Sequence, residues 1–317
     1  MQHTEPYALV FGVSICDIFG FTNNNYRPCD SNPGRVRVSY GGVCRNIAEN
    51  MGRVGIPTKL ISVVGDDDKG RGMMEHAKHT GFDMQDSLIV KGGATPTYLA
   101  ILDDRGEMVS AVVDESIIHE MTAEFVDSKA EYIRHAKYVI LDADNAKMTE
   151  HIVTKYQGEA QFILDPVSTS RAQTVKHLVP YFHTIKPNRL EAEVLCGFPI
   201  DTIENIREAG AYFIEQGVKN IFISLDAEGI YYNNGTQEGI IKANNVPIVN
   251  VTGAGDAFVA GVGYGYMKEM PIRDMVKYAI AMSAMTIAYE QTIHPEMCDE
   301  KVCEHVHSLD WQEKTYK

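Results

Sequence analysis

Positive charge is scarce in this sequence of 317 residues. The chain contains 29 Lys and Arg against 43 Asp and Glu, which gives a formal net charge of −14. A general nucleic-acid-binding protein needs a basic surface for the phosphates, so this balance disfavours that class of protein. A small anionic ligand remains compatible with it, because a local site can be positive on an acidic protein.

Long apolar runs and paired cysteines are also missing. No run approaches the roughly 18 residues that cross a bilayer, so we expect no membrane-spanning segment. The six cysteines include no C-x-x-C pair, which is typical of reduced thiols in a cytosolic protein. Because Met1 to Tyr7 contain no basic segment followed by an apolar core, we expect no secretory signal and a cytoplasmic location.

Strand-like apolar runs alternate with helical periods through most of the chain. Val43, Ile47 and Met51 share one face of a predicted helix that Gly55 would end. Buried strands are predicted at Tyr7–Val13, Lys59–Val64, Lys137–Leu141, Gln161–Asp165, Thr184–Lys186 and Asn220–Leu225. This α/β rhythm predicts a mainly parallel sheet covered by helices on both faces.

Two stretches interrupt the rhythm. Phe19–Tyr40 is polar with short alternating pieces, and 87–113 reads as three short strands, Ser87–Val90, Thr97–Leu102 and Met108–Val113. We expect both stretches to leave the main sheet and pack together as a small β-sheet lid.

The segment Asn250–Phe258, NVTGAGDAF, contains the most informative pattern. A strand-like stretch runs into Gly253, Ala254 and Gly255, and a helix-like run follows. Backbone N–H groups at such a turn, together with a helix N-terminus, form a site for an anion or for developing negative charge. Asp256 beside it could act as a general base, or it could only complement the helix dipole.

A second pair of glycines opens the helix of the segment GGVCRNIAENMGRVG. Gly41 and Gly42 permit close approach of the backbone to a ligand, and Asn46 lies one turn further on, on the same side. The alternative is that Asn46 is a solvated helix residue and that Arg45 and Arg53 are surface charges. This segment alone favours that alternative.

The segment TIKPNRLE presents an amide and a carboxylate on one helix face. Asn188 and Glu191 are spaced i, i+3, and together they could hold hydrated Mg²⁺. A capping box, with Asn188 as N-cap and Glu191 at N3, explains the spacing equally well. Both roles remain open on the spacing alone.

Two further positions are candidates through their place in the chain. Asp17 follows the first strand, and α/β sheets bind ligands at the carboxyl ends of their strands. The segment Asp30–Gly34, DSNPG, is a turn signal whose simplest interpretation is a surface loop.

In order and spacing, these segments together resemble the ribokinase-like (PfkB) family of carbohydrate and nucleoside kinases. GGVCRNIAENMGRVG resembles its N-terminal signature, NVTGAGDAFVAG its C-terminal signature and KPNRLEAE its N-x-x-E motif. DSNPG, LDPVS and the asparagine at Asn250 further resemble the pseudouridine kinase branch. The P-loop motif and the protein-kinase motifs H-R-D and D-F-G are absent.

The resemblance implies a fold and a reaction. The fold would be a three-layer α/β/α sandwich formed by one domain over residues 1–317, with the lid inserted at about 18–41 and 87–113. Asp256 would deprotonate the 5′-hydroxyl of a nucleoside, pseudouridine in that branch, and Gly253, Ala254 and Gly255 would form the anion hole for the transferred phosphoryl group. Another sugar or nucleoside kinase, such as a ribokinase or fructokinase, is the alternative. A non-catalytic sugar- or nucleoside-binding regulator is a remote one.

The resemblance also implies binding roles. Asp17, Gly41, Gly42 and Asn46 would hold the ribose hydroxyls, with Asp30 and Asn32 of the lid near the base. ATP would contact Lys186, Asn188, Ser224, Gly229, Thr252, Gly253 and Gly255. Asn188 and Glu191 would organise Mg²⁺ through water.

Two expectations concern a further ion and the assembly. Asn250 stands where ribokinases have an aspartate that helps form a monovalent-cation site, which puts a requirement for K⁺ in doubt. Exposed lid strands often pair across a two-fold axis, so we expect a homodimer through the lid. We expect no nucleic-acid polymer and no membrane as partner.

Overall fold

The computed structural model describes residues 6–317. The expectation about a secretory signal concerned Met1 to Tyr7, most of which lie outside the described residues. The strands within it are β1 (Ala8–Phe11), β2 (Ile15–Thr22), β3 (Gly34–Gly41), β4 (Thr58–Ile61), β5 (Val63–Gly65), β6 (Leu88–Val90), β7 (Thr97–Leu102), β8 (Met108–Asp114), β9 (Tyr138–Asp142), β10 (Phe162–Asp165), β11 (Thr184–Ile185), β12 (Asn220–Ser224), β13 (Ile230–Asn233), β14 (Glu238–Asn244) and β15 (Asp310–Thr315).

Helices connect most of these strands. They are α1 (Val43–Arg53), α2 (Asp68–Thr80), α3 (Ala123–Asp127), α4 (Ala130–His135), α5 (Ala146–Lys155), α6 (Thr169–Val175), α7 (Arg189–Cys196), α8 (Ile203–Glu215), α9 (Ala254–Met267), α10 (Ile272–Ile287) and α11 (Asp299–Ser308). No helix among residues 6–317 is long and apolar enough to cross a membrane.

The central sheet has nine strands in the order β15-β14-β13-β12-β11-β10-β9-β1-β4. The strands from β12 to β4 are parallel, and β13, β14 and β15 add an antiparallel edge. All four residues of β1 are buried, as expected for a central parallel strand with both faces covered. The predicted mainly parallel sheet is confirmed.

Alternate residues of β1 belong to two different hydrophobic cores. Leu9 and Phe11 pack on the side of α5, α6, α7 and α8. Ala8 and Val10 pack on the side of α1, α9 and α10. The sheet therefore lies between two helical layers, and the expected three-layer α/β/α sandwich is confirmed.

A four-stranded sheet in the order β3-β2-β7-β8 stands apart from the central one. Because paired residues point to the same face, its register defines two faces. The inner face carries Asp17, Phe19, Phe21, Tyr98 and Val113. The outer face carries Ile18, Val36, Val38, Leu99 and Val112, and all of these except Ile18 are exposed.

One predicted strand has a different partner. Ser87–Val90 was expected in the lid, but β6 pairs with β5 in a separate two-stranded sheet. The reason is an interruption at Ser62 in the predicted strand Lys59–Val64. The backbone N–H of Ser62 donates to Oγ of Ser87 (3.1 Å) and its carbonyl accepts from the N–H of Leu88 (2.8 Å), so the chain changes sheets there.

Candidate active site

The predicted site residues lie mainly at the carboxyl ends of the parallel strands, where α/β sheets bind ligands. Asp165 is the last residue of β10, and Lys186 follows directly after β11. Helix α9 packs against α1 and begins beside them. The fold thus brings the sequence segments around Asn46, Lys186 and Asp256 to one place.

The turn formed by Gly253, Ala254 and Gly255, called the glycine turn below, starts helix α9. Gly253 has φ +83°, and a side chain there would overlap the carbonyl oxygen of Thr292, so only glycine fits. Within the described residues, no acceptor takes the backbone N–H groups of Gly253, Gly255 and Asp256. These free donors at a helix N-terminus suit an anion.

The ammonium group of Lys186 lies beside the glycine turn. A methyl group on Gly255 would come within 2.8 Å of Nζ, so the glycine leaves room for this cation. Burial alone would lower the pKa of Lys186, but the carboxylates of Asp165, Glu191 and Asp256 raise it. The site therefore combines backbone donors with a charged, buried cation.

Asp256 lies in the first turn of α9 and is partly accessible. Desolvation by the surrounding protein, followed by the nearby Asp165, raises the pKa of Asp256 to about 7, while Asn46 and Lys186 oppose this shift. The Nδ2 of Asn46 donates to Oδ2 of Asp256 at 2.8 Å. A carboxylate whose pKa lies near neutrality is suited to accept and release a proton.

Helix α1 brings the second glycine pair to the same cleft. Gly42 is its N-cap with φ +97°. A side chain on Gly42 would clash with the backbone of the segment that joins β1 to β2. A side chain on Gly41 would clash with the carboxyl group of Asp17. Burial raises the pKa of Asp17 to about 6, against the opposing charges of Arg45 and Arg37.

The capping box is present at the start of α7. The N–H and Nδ2 of Asn188 donate to the two carboxylate oxygens of Glu191 (2.8 and 2.9 Å), and Oδ1 of Asn188 accepts from the N–H of Glu191 (2.9 Å). Both polar ends of the Asn188 side chain are thus engaged. Of the two roles left open by the spacing, the capping role is confirmed.

The same geometry limits how Mg²⁺ could bind. Within the described part of the chain, no group of three or more His, Cys, Asp or Glu could hold a metal ion directly. Glu191 in the first turn of α7 and Asp165 at the end of β10 each keep carboxylate lone pairs, and Mg²⁺ commonly retains several waters. These residues fit a hydrated Mg²⁺ that contacts the protein through water. Oδ1 of Asn188 accepts one hydrogen bond, from the N–H of Glu191, and its second lone pair can accept from such a water.

The candidate nucleotide-binding residues lie on neighbouring elements. Ser224 bridges to Asn188 across the ends of β11 and β12. Gly229 directly precedes β13 and has φ +98°. A side chain on Gly229 would clash with the carbonyl oxygen of Ile241. Thr252 is exposed just before the glycine turn, and its N–H donates to Oδ1 of Asn250 at 3.0 Å.

Asp30 and Asn32 lie apart from the other candidates. They belong to the turn between β2 and β3, about 17 Å along the strand from Asp17 at 3.3 Å per residue. The side chain of Asn32 forms its hydrogen bonds within this turn. It accepts from the N–H of Arg27 (2.8 Å) and donates to the carbonyl oxygen of Arg27 (2.9 Å). No contact among the described residues joins either one to Asp256.

Two residues at the site were not among the sequence candidates. Arg45, treated as a possible surface charge, is only 2% exposed and contacts Asn46. Asp165 faces Nζ of Lys186 at 3.5 Å. Asp165 could have been found as a carboxylate that ends a buried strand, but no local pattern shows that a helix arginine turns inward.

Comparisons with known proteins agree with this geometry. Residues 5–297 match the pfkB family of carbohydrate kinases. Pseudouridine kinase of Escherichia coli is 32% identical over 92% of this chain and 94% of its own. A solved structure from Clostridium perfringens, provisionally described as a sugar kinase, is 52% identical with a TM-score of 0.95, covering 99% of this chain and 100% of its own.

A third protein extends the structural likeness. An Escherichia coli protein provisionally described as ribokinase II was solved with ATP and Mg²⁺; its TM-score is 0.81 at 18% identity, over 96% of this chain and 99% of its own. At that identity it supports the fold. The match over most of the sequence decides the family: the chain belongs to the pfkB family of carbohydrate kinases, and it is a phosphotransferase that acts on an alcohol group of a sugar or nucleoside.

Proposed function

We propose that this enzyme transfers the γ-phosphoryl group of ATP to the 5′-hydroxyl of pseudouridine, giving pseudouridine 5′-phosphate and ADP. The observation that carries the reaction is the position of Asp256, which directly follows the glycine turn with its free N–H groups and accepts a hydrogen bond from the amide of Asn46. The substrate is supported by the likeness to the Escherichia coli pseudouridine kinase, at 32% identity over 92% of this chain.

Asp256 acts as the general base. It accepts the proton of the 5′-hydroxyl while that oxygen bonds to the γ-phosphorus, and the bond from phosphorus to the ADP oxygen breaks. A pKa of about 7 suits this role, because about half of the enzyme molecules carry the ionised carboxylate at neutral pH and that carboxylate is basic enough to take the proton. Phosphoryl transfer otherwise needs positioning and charge stabilisation more than covalent chemistry.

The glycine turn and Lys186 stabilise the negative charge of the transferred group. The N–H groups of Gly253 and Gly255 have no acceptor among the described residues, and the Nζ of Lys186 lies beside Gly255, so all three can donate to the transferred group. Mg²⁺ bound with ATP would neutralise phosphate charge. Glu191 and Asp165 would hold its waters, which fits their free carboxylate lone pairs.

Asp17, Gly41, Gly42 and Asn46 hold the ribose hydroxyls in this proposal. Two observations on Asp17 support this role. Its carboxyl group is partly accessible and packs directly against Gly41, and the residue lies near the start of β2. The four-stranded sheet then serves as a lid that excludes water, and its turn with Asp30 and Asn32 reaches the base only after the lid moves inward.

Another sugar or nucleoside as substrate is the alternative. The Clostridium perfringens protein, 52% identical, favours it through its description as a sugar kinase. The base and the anion hole would be the same for either substrate, so only the lid and the sugar pocket would differ. The remote alternative, a non-catalytic regulator, is disfavoured by the poised carboxyl of Asp256.

We further propose that the enzyme is a homodimer through the outer face of the lid. Val38 and Val112 on this face are 58% and 65% exposed, and the paired register aligns them in one row with Ile18 and Leu99. An exposed apolar row across a whole sheet suits a second apolar surface. A second copy is the occupant that supplies a matching face by symmetry.

The replacement Asp256→Asn tests the reaction. We expect turnover to fall by at least ~100-fold, the scale for removal of a general base. The matched control is Asp299→Asn in α11. It alters a carboxyl that accepts a hydrogen bond from Tyr278 of α10 (2.8 Å) and has no contact with Asp256 among the described hydrogen bonds. Near-normal turnover in Asp256→Asn would exclude Asp256 as the base.

A further inference from the structure

Helix α1 buries an unusual group of polar side chains. Arg45, Asn46, Glu49 and Asn50 are each at most 5% exposed, in a helix that packs against the sheet and against α9. Burying charged groups in such a position costs free energy unless they are paired and hydrogen-bonded. Apolar residues would fill the same space at a lower cost in free energy, which indicates that this polar group serves the site.

Arg45 lies at the centre of the group. Its Nη1 donates to the carbonyl oxygen of Tyr40 (2.9 Å) and to Oδ1 of Asn46 (3.2 Å), and its Nη2 pairs with Glu49. Glu49 is held in turn by Nε of Arg53 (2.7 Å) and faces Nε2 of His76 (3.2 Å). The guanidinium of Arg45 is thus fixed from three sides.

This contact decides which way the amide of Asn46 points. A guanidinium can donate hydrogen bonds but cannot accept them, so the amide must turn its oxygen to Arg45. The NH₂ group of Asn46 then faces Asp256, as observed at 2.8 Å. A flipped amide would set its NH₂ against the guanidinium N–H groups and its oxygen against the carboxyl of Asp256.

We propose that Arg45 is a positioning residue for phosphoryl transfer: by holding the amide oxygen of Asn46, it forces the amide N–H onto Oδ2 of Asp256 and so keeps that oxygen a hydrogen-bond acceptor. The proposal rests on the proposed role of Asp256 as the base. An N–H donor stabilises the ionised carboxylate, whereas an amide oxygen in its place would stabilise the protonated acid. Arg45 thereby keeps the base in its active form without touching it.

The other charged groups around the two residues act separately. Those that face Asp256 are Asp165 at the end of β10, Asp144 after β9 and Lys186 after β11. From α10, Ser283 donates to the carbonyl of Ala254 and brings no charge. Those that face Arg45 are Glu49, Arg53 and Asp17. None of these groups determines the amide orientation of Asn46, so an effect through orientation can be separated from an effect of charge.

The test is the pH dependence of kcat/KM in Arg45→Met and in the double variant Arg45→Met/Glu49→Met. The double variant removes both members of the buried ion pair, Arg45 and Glu49, so the net charge is unchanged. It should fold more readily than the single variant, because neither charge of the pair is left buried without the other. In both variants we expect the acidic limb of the profile to move up by roughly one pH unit, with about tenfold lower kcat/KM below the limb and little change at alkaline pH. Arg53→Met is the matched control, because it removes a charge beside Glu49 without contacting Asn46.

The outcomes separate this proposal from the function on which it rests. An upward shift in both Arg45 variants, with Arg53→Met unchanged, supports the positioning role. Profiles that overlay the wild type, or a uniform loss at every pH, would overturn it even if Asp256→Asn is inactive. If Asp256→Asn keeps its turnover, the proposed base itself is wrong, whatever the Arg45 variants show.

Discussion

The side chains of Asn46 and Asp256 meet in a hydrogen bond of 2.8 Å although 210 residues separate them in the sequence. Asn46 follows one pair of glycines at the start of α1, and Asp256 follows the glycine turn at the start of α9. The two helices pack side by side on one face of the sheet. The bond therefore joins the proposed sugar-binding segment to the proposed base, and any substrate hydroxyl activated by Asp256 lies next to Asn46.

Replacing Lys186 tests the stabilisation of the transferred phosphoryl group. Lys186→Met removes the cation beside Gly255, and we expect kcat to fall by about 100-fold with a smaller change in KM, because the charge matters most in the transition state. The measurement is steady-state kinetics of ADP release. Lys176→Met is a matched control, since its Nζ also lies beside a glycine, Gly197, at the end of α7. Equal effects of the two replacements would count against a special role for Lys186.

The dependence of stability on pH tests the environment of Asp256. Its pKa in the folded state, about 7, lies above that of an unfolded aspartate, about 3.9, so ionisation costs the folded state. The contribution of Asp256 to the stability of the wild type should therefore fall as the pH rises from about 4 to about 7 and then level off. Asp256→Asn lacks this loss, and we expect it to be more stable above pH 7 by on the order of 2 to 4 kcal/mol, allowing for partial exposure.

Denaturant unfolding at several pH values measures this difference. Asp127→Asn should behave in the opposite way, because hydrogen bonds from Lys155 and His151 lower the pKa of Asp127. That replacement should lower stability at neutral pH, and the loss should vanish in acid. An Asp256→Asn variant without added stability at pH 8 would mean that the carboxyl is not desolvated as described.

We expect that Asn250 determines whether the enzyme requires K⁺. Its Oδ1 accepts from the N–H of Thr252 (3.0 Å), and its Nδ2 donates to the carbonyl oxygen of Glu290 (3.1 Å). The amide thus joins its own loop to the loop of Glu290 without a cation, whereas an aspartate there would set a carboxylate oxygen against the Glu290 carbonyl oxygen. We expect activity to be nearly the same when K⁺ is replaced by a large organic cation at matched ionic strength.

The variant Asn250→Asp completes this comparison. A carboxylate would face the Glu290 carbonyl with oxygen instead of N–H, so we expect activity to drop and to recover several-fold when K⁺ is added. Strong K⁺ dependence of the wild-type enzyme would show that the amide does not replace the ion.

The proposed dimer is tested by charge on the outer face of the lid. Val38→Lys and Val112→Lys should each convert a dimer into a monomer in light scattering, because a buried ammonium in an apolar interface is costly. Val113→Lys is the matched control: Val113 is 52% exposed and neighbours Val112, but it points to the inner face. A wild-type protein that is monomeric at micromolar concentration would contradict the proposal.

The sequence predicts the main sheet well because buried parallel strands leave a clear pattern. The runs that became β1, β9, β10 and β12 are continuous apolar segments, and the helices between them indicate a parallel sheet covered on both faces. The glycine turn and the pair Gly41 and Gly42 were found because positive φ and close approach demand glycine. Such positions carry their own local signal.

The remaining features depend on contacts between distant residues. The strand predicted at Lys59–Val64 divides at Ser62 because Ser87 and Leu88 bind its backbone, and nothing local marks that break. Arg45 looks like any surface arginine until Glu49 and Tyr40 are seen to surround it. Asp30 and Asn32 were grouped with the site by resemblance, yet their side-chain hydrogen bonds stay within their own turn.

The most direct test of the proposed function is ADP release with ATP and Mg²⁺ across pseudouridine, uridine, adenosine, ribose and fructose. The purified enzyme should prefer pseudouridine over uridine by a wide margin in kcat/KM, which would mean that the pocket distinguishes a base joined by a C–C glycosidic bond. Preference for ribose, fructose or another nucleoside would contradict the proposed substrate while leaving Asp256 and the glycine turn in their roles. No ADP formation with any acceptor, although ligand binds, would contradict catalysis itself.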